Sequence, residues 1–170
     1  MKMSVLYFSK SGTTKEMAEI ICQGMEQAGG VEARAFSIGA PDEGFDEGFD
    51  EGFIGESRCV VLGTPTYLAS MAGEVKTFLD GPARKLGLAG KIGGAFATAD
   101  YLHGGAELAI SSILNHMLVL GMLVFSGGGS FGKPVIHLGP VALKQSKVEA
   151  KETFLLYGQR MAQKTKEIFK

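Results

Sequence analysis

Short apolar runs without polar alternation recur along the chain, and segments with helical spacing lie between them. This pattern limits the fold more than anything else in the sequence. The runs are "SVLYF" (4–8), "CVVLG" (59–63), "IGGAFAT" (92–98) and "MLVFS" (122–126). Strands buried on both faces read this way, which points to a parallel sheet covered by helices. A further run, "VEARAFSI" (31–38), alternates as an edge strand does. Helical spacing follows over 14–28, 70–80, 105–120 and 146–169. The first of these puts Met17, Ile20, Ile21, Gly24 and Met25 on one stripe and stops at Gly29-Gly30. The segment 105–120 carries Leu108, Ile110, Ile113, Leu114, Met117, Leu118 and Leu120, so it reads as mostly buried. The last opens with Ser146-Lys147-Val148-Glu149, a capping-box pattern. Strands alternating with helices predict a doubly wound α/β sandwich in one domain over residues 1–170.

Composition agrees with this. Apolar residues make up 45% and charged residues 21%, enough for a core, and the net charge of −1 leaves no footprint for nucleic acid. No apolar run approaches the ~20 residues of a membrane span, and the N-terminus has no signal pattern, so the cytoplasm is the expected location. Cys22 and Cys59 have no metal-ligand spacing and read as buried thiols. The tetrapeptide repeat "DEGFDEGFDEGF" (42–53) reads as a lengthened acidic surface connection with exposed Phe45 and Phe49; its last copy can form one helical turn. "SGGGSFGKP" (126–134) reads as an irregular connection at the end of the sheet where ligands sit, and His137 as part of a loop over the site.

The loop after the first run holds Ser9, Ser11, Thr13 and Thr14 around Gly12. In an open parallel sheet, ligands bind beyond the carboxyl ends of the strands. Hydroxyls, a glycine and the free N–H groups of the next helix together make a phosphate cradle that needs no cation. The Walker pattern and the dinucleotide fingerprint are both absent. Thr13 with Glu16 also fits a capping box, so this stretch alone is equally a capped helix. Two further loops converge on the same edge: "GTPTYLASMAGEVKTFLD" (63–80) and "ATADYLHGGAE" (97–107). Each sets a tyrosine and small residues at a strand end. Together the three loops describe a site for a flat ring with a phosphate tail, with Tyr67 and Tyr101 able to lie against the ring.

"SKSGTT", "GTPTY…MAGEVKTFLD" and "HGGAE…GM" resemble the flavodoxin-like superfamily. Within it they are most similar to NAD(P)H:quinone oxidoreductases of the tryptophan-repressor-binding-protein type and to flavodoxin-like FMN reductases. The resemblance implies a three-layer sandwich with a five-stranded parallel sheet in the order 2-1-3-4-5. It also implies non-covalent FMN, with NADH or NADPH as co-substrate and a quinone or similar small molecule as acceptor. Carried over by position, Ser9, Ser11, Gly12, Thr13 and Thr14 would hold the phosphate. Pro65, Thr66, Tyr67, Leu68 and Ala69 would border the flavin ring, and Thr98, Ala99, Asp100, Tyr101 and Gly104 would wall its other side. His103 would be the one titratable group beside the ring, placed to donate to a quinone oxygen.

The chain departs from the family at three points. Val119 and Leu120 replace an aromatic or histidine pair, which removes a histidine contact to the phosphate. Tyr67 stands where an arginine is common, which leaves the quinone and nicotinamide preference open. The "DEGF" repeat replaces a long insertion that forms part of a tetramer surface, so a homodimer is expected at least as readily as a tetramer. A one-electron carrier and a non-catalytic flavin-binding module are the alternative functions; the absence of tryptophan and the near-neutral charge speak against the carrier.

Overall fold

The computed structural model describes residues 1–39 and 45–170. The elements follow the alternation read from the sequence. They are β1 (Lys2–Tyr7), α1 (Thr13–Gln27), β2 (Glu32–Ser37), α2 (Glu51–Glu56), β3 (Cys59–Tyr67), β4 (Ser70–Met71), α3 (Gly73–Asp80), β5 (Ile92–Ala99), α4 (Ala106–Val119), β6 (Leu123–Val124), β7 (Val141–Leu143) and α5 (Lys147–Ile168). The main sheet is parallel in the order β2-β1-β3-β5-β6, with β7 also on β5.

This is the expected 2-1-3-4-5 order with its fifth position split. Leu123 and Val124 pair with Ile92 and Gly93, near the amino end of β5. The chain then leaves the sheet and returns to pair Val141, Ala142 and Leu143 with Ala97, Thr98 and Ala99 at the carboxyl end. The glycine-rich run 126–134 therefore leaves the edge low on the sheet, away from the carboxyl ends where it was expected. Arg160 of α5 holds it there. This guanidinium is buried, and it donates to the carbonyls of Gly127 (3.4 Å), Pro134 (3.0 Å), Phe131 (3.1 Å), Gly132 (3.1 Å) and Lys133 (3.4 Å). A buried cation needs such oxygens around it, and here loop carbonyls take the place of a carboxylate.

Alternating side chains of the central strands go to opposite layers. Met3, Val5 and Tyr7 of β1 pack with α1 and α5, alongside Cys59, Val61, Ile92 and Phe96. Leu6 faces the other way, with Val60, Leu62 and Ala95, against α2, α3 and α4. This two-sided burial explains the unbroken runs of β1, β3 and β5, whereas the run at 122–126 yields only the two-residue edge strand β6, with Leu123 exposed and Val124 half-buried. Cys22 and Cys59 are free and buried, and burial pushes both thiols up to about 12.

Several local expectations need correction. Residues 70–72 precede the helix read over 70–80: Thr66 and Tyr67 pair back with Met71 and Ser70, and the Ala72 amide donates to Thr64 Oγ1 at 2.9 Å. The capping box at Ser146 does not form, since no side chain caps α5. Helix α4 is only half buried, because Leu108, Leu118 and Val119 are exposed. Phe45 and Phe49 are not surface residues of an acidic loop. Their rings stack at 3.9 Å and meet the edge of Phe78, while Phe53 is buried. Spacing of four residues brings the phenylalanines to one side, and the acids between them face solvent. The last copy of the repeat does form a short helix, α2, where Asp50 accepts from the Phe53 amide at 2.8 Å. Asp42, Glu43 and Gly44 lie outside the described residues.

Helices α1 and α5 touch backbone to backbone. An added methyl at Gly24 would lie 2.0 Å from the Leu155 carbonyl oxygen, and one at Gly158 would lie 2.2 Å from that of Ile21. Helix propensity alone favours alanine over glycine by ~1 kcal/mol. Gly158→Ala is nonetheless expected to lower unfolding free energy by about 1–3 kcal/mol, because the helices must separate. Urea unfolding measures this; a stabilised variant would show that the close approach does not constrain the fold.

Candidate functional site

The carboxyl ends of β1, β3 and β5 meet the start of α1 at a cleft of about 200 Å³, and Ser11, Thr13, Thr14, Pro65, Thr66, Tyr67, Thr98, Ala99 and Asp100 line it together with Lys10 and Lys144. The register places these ends side by side, with Tyr7 opposite Gly63 and Pro65 opposite Thr98. Three loops far apart in sequence thus form one wall.

Gly12 makes the first loop possible. Its φ of 90° lies in the left-handed region, and it takes the N-cap position of α1. Thr13 is therefore already helical, and no side chain caps the helix. The capping reading of Thr13 with Glu16 fails on this geometry. The Glu16 carboxylate instead accepts from Lys147 at 2.6 Å and pairs with Lys151 at 2.8 Å, both on α5. The first-turn amides of α1 are left to whatever fills the cleft, and the helix dipole favours an anion there. Ser9 turns the loop, since its Oγ accepts from the Gly12 amide at 3.1 Å. Thr14 and Thr98 are buried, and their hydroxyls share a 2.9 Å hydrogen bond that ties α1 to the end of β5.

The second of these loops is strained. Leu68 and Ala69 have φ of 49° and 59°, the left-handed values that the two central residues of a tight hairpin require. Non-glycine residues pay roughly 1–2 kcal/mol each for this conformation. Strain of this kind gathers at ligand sites. Thr66 Oγ1, on the same loop, is buried without a hydrogen-bond partner among the described residues. A buried hydroxyl left unpaired is costly, and a ligand in the cleft would relieve it. Burial, and then the charges of Glu74 and Asp100, raise the Tyr67 phenol above its usual range, so it stays protonated at neutral pH.

The remaining anticipated residues do not line the cleft. Leu68 and Ala69 form the hairpin tip, Tyr101 and His103 are exposed on the turn before α4, and Gly104 follows them. His137 is exposed on the β6–β7 segment and does not line the cleft. Lys10 and Lys144 were missed. Lys10 lay inside the quoted loop, but a cradle of hydroxyls needed no cation. Lys144 follows a three-residue strand too short to leave a periodic signal. No cluster of three or more metal-ligating side chains occurs among the described residues, and no helix there is long and apolar enough to cross a membrane.

A family model described as NADPH-dependent FMN reductase matches residues 1–133. The chain belongs to this flavodoxin-like FMN reductase family. Its relatives extend the likeness to the whole chain. A flavodoxin of Clostridium saccharobutylicum is 40% identical over 169 residues, which cover 99% of this chain and 100% of that protein. NAD(P)H dehydrogenase (quinone) 3 of Rhizobium meliloti (strain 1021) is 34% identical over 137 residues, covering 72% of this chain and 65% of that one. A flavodoxin, WrbA-like protein from Agrobacterium tumefaciens superposes with a TM-score of 0.80 at 24% identity, covering 98% of each chain, which speaks for the fold alone.

Lys147 and Lys151 hold the Glu16 carboxyl below its usual range. A depressed carboxyl contributes stability that is complete above its unfolded value of 4.5 and is lost as pH falls through the lower folded value. The groups are partly exposed, so the gain is no more than about 1 kcal/mol. The urea midpoint of the wild type is expected to exceed that of Glu16→Gln at pH 7 and to converge with it as pH falls well below 4.5. A gap that persists in acid would show that the ion pairs are not its source.

Proposed function

We propose that this chain binds FMN in the cleft and serves as an NAD(P)H oxidoreductase, passing two electrons to a quinone or similar small acceptor. One observation carries the proposal: an uncapped helix start with buried hydroxyls beside it, next to a strained loop that holds the unpaired Thr66 hydroxyl. A phosphate monoester suits the first part, and a ring edge that accepts hydrogen bonds suits the second. The family description and the quinone dehydrogenase relative favour the reductase.

In this reading Ser11, Gly12, Thr13 and Thr14 hold the phosphate, and Ser9 keeps the loop folded. Pro65, Thr66, Tyr67, Leu68 and Ala69 border one side of the ring, and Thr98, Ala99, Asp100, Tyr101 and Gly104 the other. A cleft of about 200 Å³ is smaller than the ~300–1,000 Å³ of sites that enclose a whole ligand. One ring edge therefore stays open along the exposed rim of Tyr67 and Tyr101. NADH or NADPH and the acceptor would use that opening in turn. His103, exposed on the adjoining turn, is the proposed proton donor to the acceptor oxygen. FMN supplies the hydride and electron chemistry, while the protein supplies position and charge.

A one-electron carrier is the second reading, and the full-length likeness to a flavodoxin favours it. Turnover separates the two. The FMN-loaded protein is expected to oxidise NADH or NADPH rapidly with benzoquinone. Negligible turnover together with two well-separated one-electron steps in a reductive titration would favour the carrier, and failure to bind FMN would remove both readings. Thr14→Val is expected to weaken FMN binding about tenfold or more while leaving far-UV circular dichroism unchanged. Unchanged affinity would show that Thr14 does not hold the phosphate.

A further inference from the structure

The anion site carries more positive charge than its hydroxyls suggest. Lys10 lines the cleft from the β1–α1 loop and Lys144 from the far edge, against the single acid Asp100. Neither lysine forms an ion pair among the described residues. The position of Lys144 is fixed on two sides. Leu143 pairs with Ala99, which sets the next residue at the carboxyl edge beside Asp100. Lys147 lies one turn further on and is bonded to Glu16 in the first turn of α1. The beginning of α5 is thereby drawn to the beginning of α1. Lysines 144, 147 and 151 then divide the work by position. The last two neutralise Glu16, the acidic residue in that first turn, and the first is left for the cleft.

We propose that Lys144 is a phosphate-binding residue of this site, its ammonium pairing with the terminal monoester of the flavin nucleotide while Lys10 flanks the same group from the opposite loop. The inference rests on the FMN reading above. It makes nucleotide affinity depend on ionic strength, because Lys144 is exposed and its charge is screened by salt. A cradle of amides and hydroxyls alone would show much less of this dependence.

Flavin fluorescence titration tests the inference with two ligands that differ by the phosphate, FMN and riboflavin, at about 0.05 M and about 0.5 M salt. Lys144→Gln is expected to weaken FMN binding roughly five- to tenfold at low salt and to flatten its salt dependence. Riboflavin affinity should not change, and Lys144→Arg should retain most of the FMN affinity. Equal weakening of both flavins, or of neither, would overturn the assignment. If the wild type binds FMN tightly and Lys144→Gln matches it, only the lysine proposal falls. If the wild type binds neither flavin, the FMN reading falls and takes the lysine with it.

Discussion

The start of α1 is left without a side-chain cap, and the rest of the site is arranged around that gap. Amides with no intrahelical acceptor must find a partner. Elsewhere in this chain Asp50 does this for α2. At α1 the residue in that position is Gly12, which has no side chain to offer and whose left-handed backbone turns the loop. The helix cannot retreat from the cleft. Gly24 and Gly158 let it lie directly on α5, and the Thr14–Thr98 hydrogen bond ties its first turn to β5. The uncapped first turn is thus held in place by the packing.

The split fifth strand position has a related role. Had the chain continued straight from Val124, the carboxyl edge of β5 would have been paired at once by glycine-rich sequence. Instead residues 125–140 leave and return, Arg160 fixes the excursion through five carbonyl contacts, and β7 reaches the edge with Lys144 behind it. One buried cation on α5 thereby anchors a loop far from the cleft, while lysines on the same helix, Lys147 and Lys151, pair with Glu16 in the first turn of α1.

Much of this was legible in the sequence for physical reasons. Strands buried on both faces leave unbroken apolar runs, so β1, β3 and β5 could be read directly, as could the alternating edge strand β2. Nine of the anticipated site residues line the cleft, because hydroxyls, glycine and proline at strand ends have few other reasons to cluster there. What escaped detection has equally plain causes. Two- and three-residue strands such as β4 and β7 are too short for a period. Phe45 and Phe49 were hidden by the acids around them, although their spacing carried them inward. A count of leucines in α4 did not reveal which of them turn outward. The Thr13–Glu16 pattern matched a capping box, but the φ of Gly12 moved the helix start by one residue and Lys147 claimed the glutamate.

Amide chemical shifts measure most directly whether the α1 start grips a phosphate, and the 18.0 kDa mass is accessible to two-dimensional NMR. Addition of FMN should shift the amides of Gly12, Thr13, Thr14 and Lys15 strongly. Addition of riboflavin should leave those four nearly in place while moving the amides of residues 66–69 and 99–101. Equal shifts at Gly12–Lys15 with both flavins, or none with FMN while the protein turns yellow, would contradict a phosphate held by that helix.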